Sequence, residues 1–149
     1  MTKWGTTDIR DRVADSLLAL MPLYHRHIMK AGAGISGITI AQYRVLGLLM
    51  KSGPLSMSEI GRYMYISKPS MTTLADSMTD HGWIEQNQDP RDRRVKKISI
   101  TPEGKKHLQQ AFGIYRGDVK RLLADLDNAD LEQLSASLNE LQRIFAKLE

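Results

Sequence analysis

SMSEIGRYMYISKPSMTTLADSMTDHGWI, residues 56 to 84, contains two helix starts and a helix stop in quick succession. Ser56 and Glu59 stand three apart, the spacing of a capping box, in which hydroxyl and carboxylate each accept a backbone N–H that the first helical turn leaves free. Leu55 and Ile60 flank that box at the positions of a hydrophobic staple. The helix is short and ends near Tyr65. Ser67 then supplies a second N-cap, and Pro69 sits in the first turn, where its missing N–H costs nothing. Gly82 stops this second helix after Asp80 or His81. Two helices joined by so tight a turn make a helix-turn-helix, whose second helix enters a DNA major groove N-terminus first.

The helical period sorts the second helix, about 67–81, into two faces. Met71, Leu74, Ala75 and Met78 share one face and belong to a core. Pro69, Thr72, Thr73 and Asp76 share the other, with Ser67, Lys68 and Ser70 at its N-terminal end. Hydroxyls bond phosphates or base edges, and a threonine methyl can touch thymine. Taken alone, these residues are equally well read as ordinary exposed helix surface.

The neighbouring hairpin tilts the balance toward DNA. Trp83 to Gln88 and Val95 to Ile100 alternate as strands, about 83–100 together, around the turn DPRDRR at 89–94. Val95, Lys97 and Ser99 fall on one face of the second strand, and Lys96, Ile98 and Ile100 on the other. Between Arg91 and Lys106 stand seven Lys or Arg against two acids, Asp92 and Glu103. A charge run is often just a solvated face. Here Arg91, Arg93 and Arg94 crowd a hairpin tip, where exposed cations do little for folding and suit a polyanion. Arginine at such a tip can enter a narrow minor groove. Asp89 and Asp92 favour the turn, and Asp92 is placed to pair with a neighbouring arginine. Arg62, on the first short helix, adds a further cation.

Working outward, residues 8 to about 30 carry Ile9, Val13, Leu17, Leu20, Met21, Tyr24 and Ile28 at helical steps, with Pro22 set to kink the helix. Residues 31–37 (AGAGISG) form a loop. Thr39 and Gln42 repeat the capping-box pattern before a helix that is apolar almost all round and so should be central and buried. Thr101 caps, and Pro102 opens, a long helix with Leu108, Ala111, Phe112, Tyr115, Val119, Leu122 and Leu126 along one stripe. After a break at 127–130, Leu131, Leu134, Leu138, Leu141, Phe145 and Leu148 step by 3 and 4, a heptad seam. The expected class is mainly α with a small β-hairpin wing. The expected organisation is one integrated domain with three parts: an N-terminal dimerisation helix and loop at 1–38, a winged helix-turn-helix at 39–101, and C-terminal dimerisation helices at 102–149. There is no internal repeat or low-complexity tract.

Composition narrows the function classes. The chain has 149 residues, formal net charge +4 and no cysteine, which removes disulfides, thiolate metal sites and thiol redox chemistry. The N-terminus lacks the apolar core of a signal peptide, and no apolar run approaches a membrane span. Both points lead us to expect a cytoplasmic protein without a membrane partner. His25 and His27 are two apart on a helix and face away from each other, a poor metal pair. His81 and His107 have no acid or nucleophile at a catalytic spacing. The glycines of residues 31–37 follow a helix rather than a strand, so they are no phosphate cradle. No enzyme, metal or cofactor is expected.

Residues 56–84 together with DPRDRRVKKISITPEGKK, 89–106, resemble the MarR family of transcriptional regulators (the multiple-antibiotic-resistance regulators). The most specific stretch is Asp89-Pro90, Asp92-Arg93-Arg94, the alternating strand, then Thr101-Pro102 and Gly104. Helix order and length extend the resemblance over nearly the whole chain, while motif similarity is confined to about 55–106. The resemblance implies a winged helix-turn-helix homodimer that recognises a palindromic operator on double-stranded DNA as a repressor. It implies dimerisation through the N-terminal and last two helices, hence Ile9, Val13, Leu131, Leu134, Leu138, Leu141 and Phe145. It also implies, from many relatives, release from DNA by a small aromatic or phenolic effector. Met21, Tyr24, Tyr43, Phe112 and Tyr115 are placed to line a cleft for one, although such a stripe at helical spacing is more often core. The absence of cysteine argues against the thiol-oxidation route of some relatives.

The chain departs from the pattern at Thr73, where many relatives have arginine, and at Ser77, where they have another charged residue. Phosphate affinity therefore leans on Arg62, Lys68 and the wing, and base preference does not carry over. The competing class is a winged-helix protein-interaction or assembly module. The basic wing and hydroxyl-rich helix favour DNA, because protein docking surfaces favour aromatic anchors.

Overall fold

The computed structural model describes residues 8–29 and 37–148, with Met29 described through its backbone only. The polar N-terminal residues 1–7, Lys30 and all of the 31–37 loop except Gly37 lie outside the described residues. The chain forms two compact units, Gly32–Arg116 and the pair Met1–Ala31 with Gly117–Glu149. Among the described residues, no helix is long and apolar enough to cross a membrane.

The unit at 32–116 is built on three successive caps. Thr39 and Gln42 close a reciprocal capping box on α2 (Ile40–Ser52). Ser56 and Glu59 do the same on α3 (Met57–Met64), with the Glu59 carboxylate accepting the Ser56 N–H at 2.6 Å. Ser67 caps α4 (Lys68–Asp80), and Gly82 comes next at φ 71, a conformation that strains any side chain. The hairpin strands are β2 (Ile84–Gln88) and β3 (Lys96–Ile100).

Sequence reading misses one element. Leu55 and Ser56 form β1, which pairs antiparallel with β3 as Leu55↔Ile98 and Ser56↔Lys97, giving the sheet order β1-β3-β2. Ser56 thus belongs to the sheet by its backbone and caps a helix by its side chain. Its sheet partner lies some forty residues on, beyond the reach of a local pattern.

The core joins these elements. Val45, Leu46 and Leu49 of α2 are buried with Ile60 and Met64 of α3 and Met71, Ala75 and Met78 of α4. Trp83, Ile84 and Ile98 close it from the sheet, and Leu108 and Ala111 from α5 (Pro102–Leu122). Each large aliphatic side chain so buried contributes roughly 1.5–3 kcal/mol. The second helix is buried on one face rather than all round: Met50 is exposed, and Tyr43 and Leu48 are partly buried. One polar group enters this core. Buried Gln42 donates from Nε2 to Ser77 Oγ at 3.1 Å, tying α2 to α4.

The wing root is locked to α5. Thr101 Oγ1 donates to the Gly82 carbonyl at 2.6 Å and accepts the Gly104 N–H at 3.0 Å. Gly104 is buried, and a Cβ there would clash with the Trp83 carbonyl oxygen, so only glycine fits.

In the other unit, Asp8 caps α1 (Ile9–Tyr24), and a π-helical turn, His25–Met29, continues it. Pro22 lies inside α1 and offers no N–H to the preceding turn, so the expected disruption takes the form of a widened turn just beyond it. Asp127 caps α6 (Asn128–Phe145) by accepting the Asp130 N–H at 2.8 Å. Neither α1 nor α6 buries a single residue.

Candidate nucleic-acid interface

On α4 the two faces separate as the period requires. Met71, Ala75 and Met78 are buried, while Ser67, Lys68, Pro69, Ser70, Thr72 and Thr73 are exposed, as is Arg62 on α3. Ser67 Oγ accepts the Ser70 N–H and donates to Ser70 Oγ at 2.9 Å, so the cap is held by side chains on the exposed end. Thr72 and Thr73 donate their hydroxyls back to the carbonyls of Lys68 and Pro69, at 3.1 and 3.2 Å. Their oxygens keep lone pairs free, so in this conformation they present acceptors and methyl groups outward rather than donors. Acceptors of this kind suit exocyclic amino groups on base edges, and the methyls suit thymine.

The turn before α4 has a property that sequence reading misses. Tyr65 adopts φ 53, ψ 42, and its N–H closes the end of α3 on the Arg62 and Gly61 carbonyls. A left-handed tyrosine costs about 1–2 kcal/mol relative to the right-handed form. Helical periodicity carries no trace of this, because the residue lies just outside the helix.

The wing loop is fixed by its two aspartates. Asp89 Oδ1 accepts the Arg91 N–H at 2.8 Å, and Asp92 Oδ1 accepts the Arg94 N–H at 3.0 Å. Backbone bonds from Asp89 N–H to the Val95 carbonyl, and from Val95 N–H to the Asp92 carbonyl, close the loop at 2.8 and 3.0 Å. Asp92 also approaches Arg94 Nε at 3.7 Å, a solvent-exposed pair of little energetic weight. The backbone is therefore held while Arg91, Arg93 and Arg94 all remain exposed.

A second tie anchors the wing to the helix-turn-helix. Lys97 of β3 donates from Nζ to Glu59 Oε2 at 2.9 Å. That bond, with the Ser56 N–H, holds the Glu59 carboxyl down to a pKa of about 2. Behind the wing, Trp83 is sandwiched between two imidazoles. Its ring lies 4.4 Å from that of His81 and 4.2 Å from that of His107, both stacked. The three rings join the end of α4, the start of β2 and the first turns of α5.

Within the same unit, Tyr43, Arg44, Gly47, Met50, Lys51, Leu108, Gln109 and Phe112 line an open groove of about 380 Å³ between α2 and α5. Two of the five residues expected in an effector cleft line it, Tyr43 and Phe112, and a third, Tyr115, meets Tyr43 edge to face at 5.9 Å. Met21 and Tyr24 are exposed on α1 in the other unit. Arg44 and Lys51, the groove's cations, do not stand out in the sequence. They alternate with core positions of α2 and read as its solvent face. Of the seam residues, Ile9, Val13, Leu134, Leu138 and Phe145 are exposed, and Leu131 and Leu141 are half-buried.

Comparison with known proteins agrees with this geometry. A MarR-family model matches residues 36–95. The helix-turn-helix transcriptional repressor MdtR of Bacillus subtilis (strain 168) is 31% identical over 97 residues, which span 65% of this chain and 63% of that protein. The transcriptional regulator PapX of Escherichia coli is 28% identical over 117 residues, 77% of this chain and 71% of its own. Among solved structures, the YusO protein of Bacillus subtilis superposes with a TM-score of 0.66 at 25% identity, covering 92% of this chain and 99% of that one. A MarR-family protein from Bacillus stearothermophilus shares the fold at a TM-score of 0.72 and 20% identity, covering 93% and 99%.

Proposed function

Since the chain belongs to the MarR family of transcriptional regulators, which bind DNA, we propose that it acts in the cytoplasm as a homodimeric repressor on a palindromic operator. Residues 39–101 contact the DNA, while residues 1–38 and 102–149 form the dimer. α4 enters the major groove with Ser67, Lys68, Pro69, Ser70, Thr72 and Thr73 leading. Arg62 touches the backbone, and Arg91, Arg93 and Arg94 reach the adjacent phosphates or minor groove. The observation that carries this reading is the wing loop, where Asp89 and Asp92 fix a backbone that holds three arginines exposed. A rigid loop loses little entropy when its cations meet phosphate.

Dimerisation is supported by the leucine seam of α6, which its own chain leaves largely uncovered. A C2 dimer would present two α4 helices to two operator half-sites. The groove between α2 and α5 suits an aromatic or phenolic effector, with Tyr43 and Phe112 against the ring and Arg44 or Lys51 near an acidic substituent.

The test is binding of the purified protein to a duplex from upstream of its own gene and to a scrambled duplex, over a salt series. Specific binding that weakens linearly in log–log salt is expected. Absence of binding to any duplex at low salt would overturn the reading. Small aromatic acids and phenols added to the bound complex then test for release.

A further inference from the structure

Tyr65 combines two properties that the folded monomer gives no reason to combine. It is the one non-glycine residue at positive φ among the described residues, and the residue is 96% exposed. The left-handed cap that ends α3 uses only its backbone N–H, a task glycine or asparagine performs with less strain. The phenol therefore occupies a strained position and gains almost nothing from its own chain. Residues held in this way concentrate where a ligand is gripped. Two residues on, Ser67 caps α4, and Lys68 and Ser70 lie exposed beyond it. Tyr65 thus lies in the turn that leads into the helix assigned above to the major groove.

We propose that Tyr65 clamps the DNA backbone, its hydroxyl donating to a phosphate oxygen at the edge of the groove that α4 enters. The proposal rests on the DNA-binding reading. It assigns affinity to a neutral donor in the turn that precedes a recognition helix lacking arginine. A phenol has no charge and releases no counterion, so its contact is distinguishable from those of Arg62, Lys68 and the wing. It bonds an oxygen common to every nucleotide, so it serves all sequences alike.

Tyr65→Phe and Tyr65→Gly in the full chain test this, against the operator and scrambled duplexes over a salt series. Tyr65→Phe keeps the ring and the cap and removes only the hydroxyl. It should weaken binding to both duplexes by about tenfold, the size of one hydrogen bond to a charged acceptor, with an unchanged log–log salt slope. Tyr65→Gly should weaken binding at least as much while its melting temperature stays at or above that of the parent, which excludes misfolding as the cause. Wild-type affinity in Tyr65→Phe would overturn the clamp. So would a loss confined to the operator, which marks a base contact, or a shallower salt slope, which marks displaced cations. A parent protein that binds no duplex at all would sink the regulator reading itself, a result separate from these.

Discussion

The unit at 32–116 and the unit made of α1, the end of α5 and α6 use similar residues to different ends. In the first, Leu46, Leu49, Ile60, Met71 and Ile98 are almost wholly shielded from solvent. In the second, Leu138 remains 48% exposed and no residue of α1 or α6 is buried. Both carry apolar stripes at helical spacing. The stripe alone therefore does not say whether its partner lies on the same chain. Caps occur in both units, at Asp8 and Asp127 as at Thr39 and Ser56, and it is the heptad step that marks α6.

That contrast is open to four tests. Leu46→Ala should have the largest effect, about 3 kcal/mol in urea unfolding, because it leaves a cavity in a closed core. The loss should not vary with protein concentration, and a variant destabilised by less than ~1 kcal/mol would mean the core repacks freely. Leu138→Asp should convert the proposed dimer to a monomer by sedimentation and cut operator affinity by about a hundredfold, since two half-sites then bind separately. A variant that stays dimeric would place the seam within one chain and erase the distinction.

Arg93→Ala and Arg94→Ala should each reduce affinity by about tenfold and lower the salt slope by about 0.9 for each phosphate no longer neutralised, with the dimer intact. Unchanged binding in both would take the wing out of the mechanism. The smallest effect concerns Glu59. Its folded pKa, about 2, lies below the ordinary 4.5, so the Lys97 and Ser56 bonds add stability above pH 4.5 that is lost as pH falls toward 2. Glu59→Gln should flatten the acid limb of the stability curve in that window only. A limb as steep as the parent's would assign acid sensitivity elsewhere.

The parts of the fold legible in sequence are those decided within four residues. The capping boxes at Thr39 and Ser56, the N-caps at Ser67 and Thr101, and the stop at Gly82 all stand where their side chains imply, because a cap is a bond between near neighbours. The missed features of the fold depend on distant partners. Leu55 and Ser56 become a strand only because residues 97 and 98 lie beside them. Gly104 stands out in the sequence as part of the motif, but the reason for it, the close approach of the Trp83 carbonyl, depends on a residue about twenty positions back. The exposed cations of α4 and the wing are legible as a set, since helical and hairpin periods assign faces directly. The groove is half legible: Tyr43 and Phe112 stand out as aromatic residues, while Arg44 and Lys51 look like any charged helix surface.

The sandwich of Trp83 between His81 and His107 also makes the protein its own optical gauge. The chain has two tryptophans, at positions 4 and 83, so Trp4→Phe leaves one indole, pressed between two imidazoles where recognition helix, wing and α5 meet. Any change in that stacking would change the emission of the single fluorophore. Movement at the base of the wing can thus be followed in real time, without a dye, as DNA or a small molecule is added.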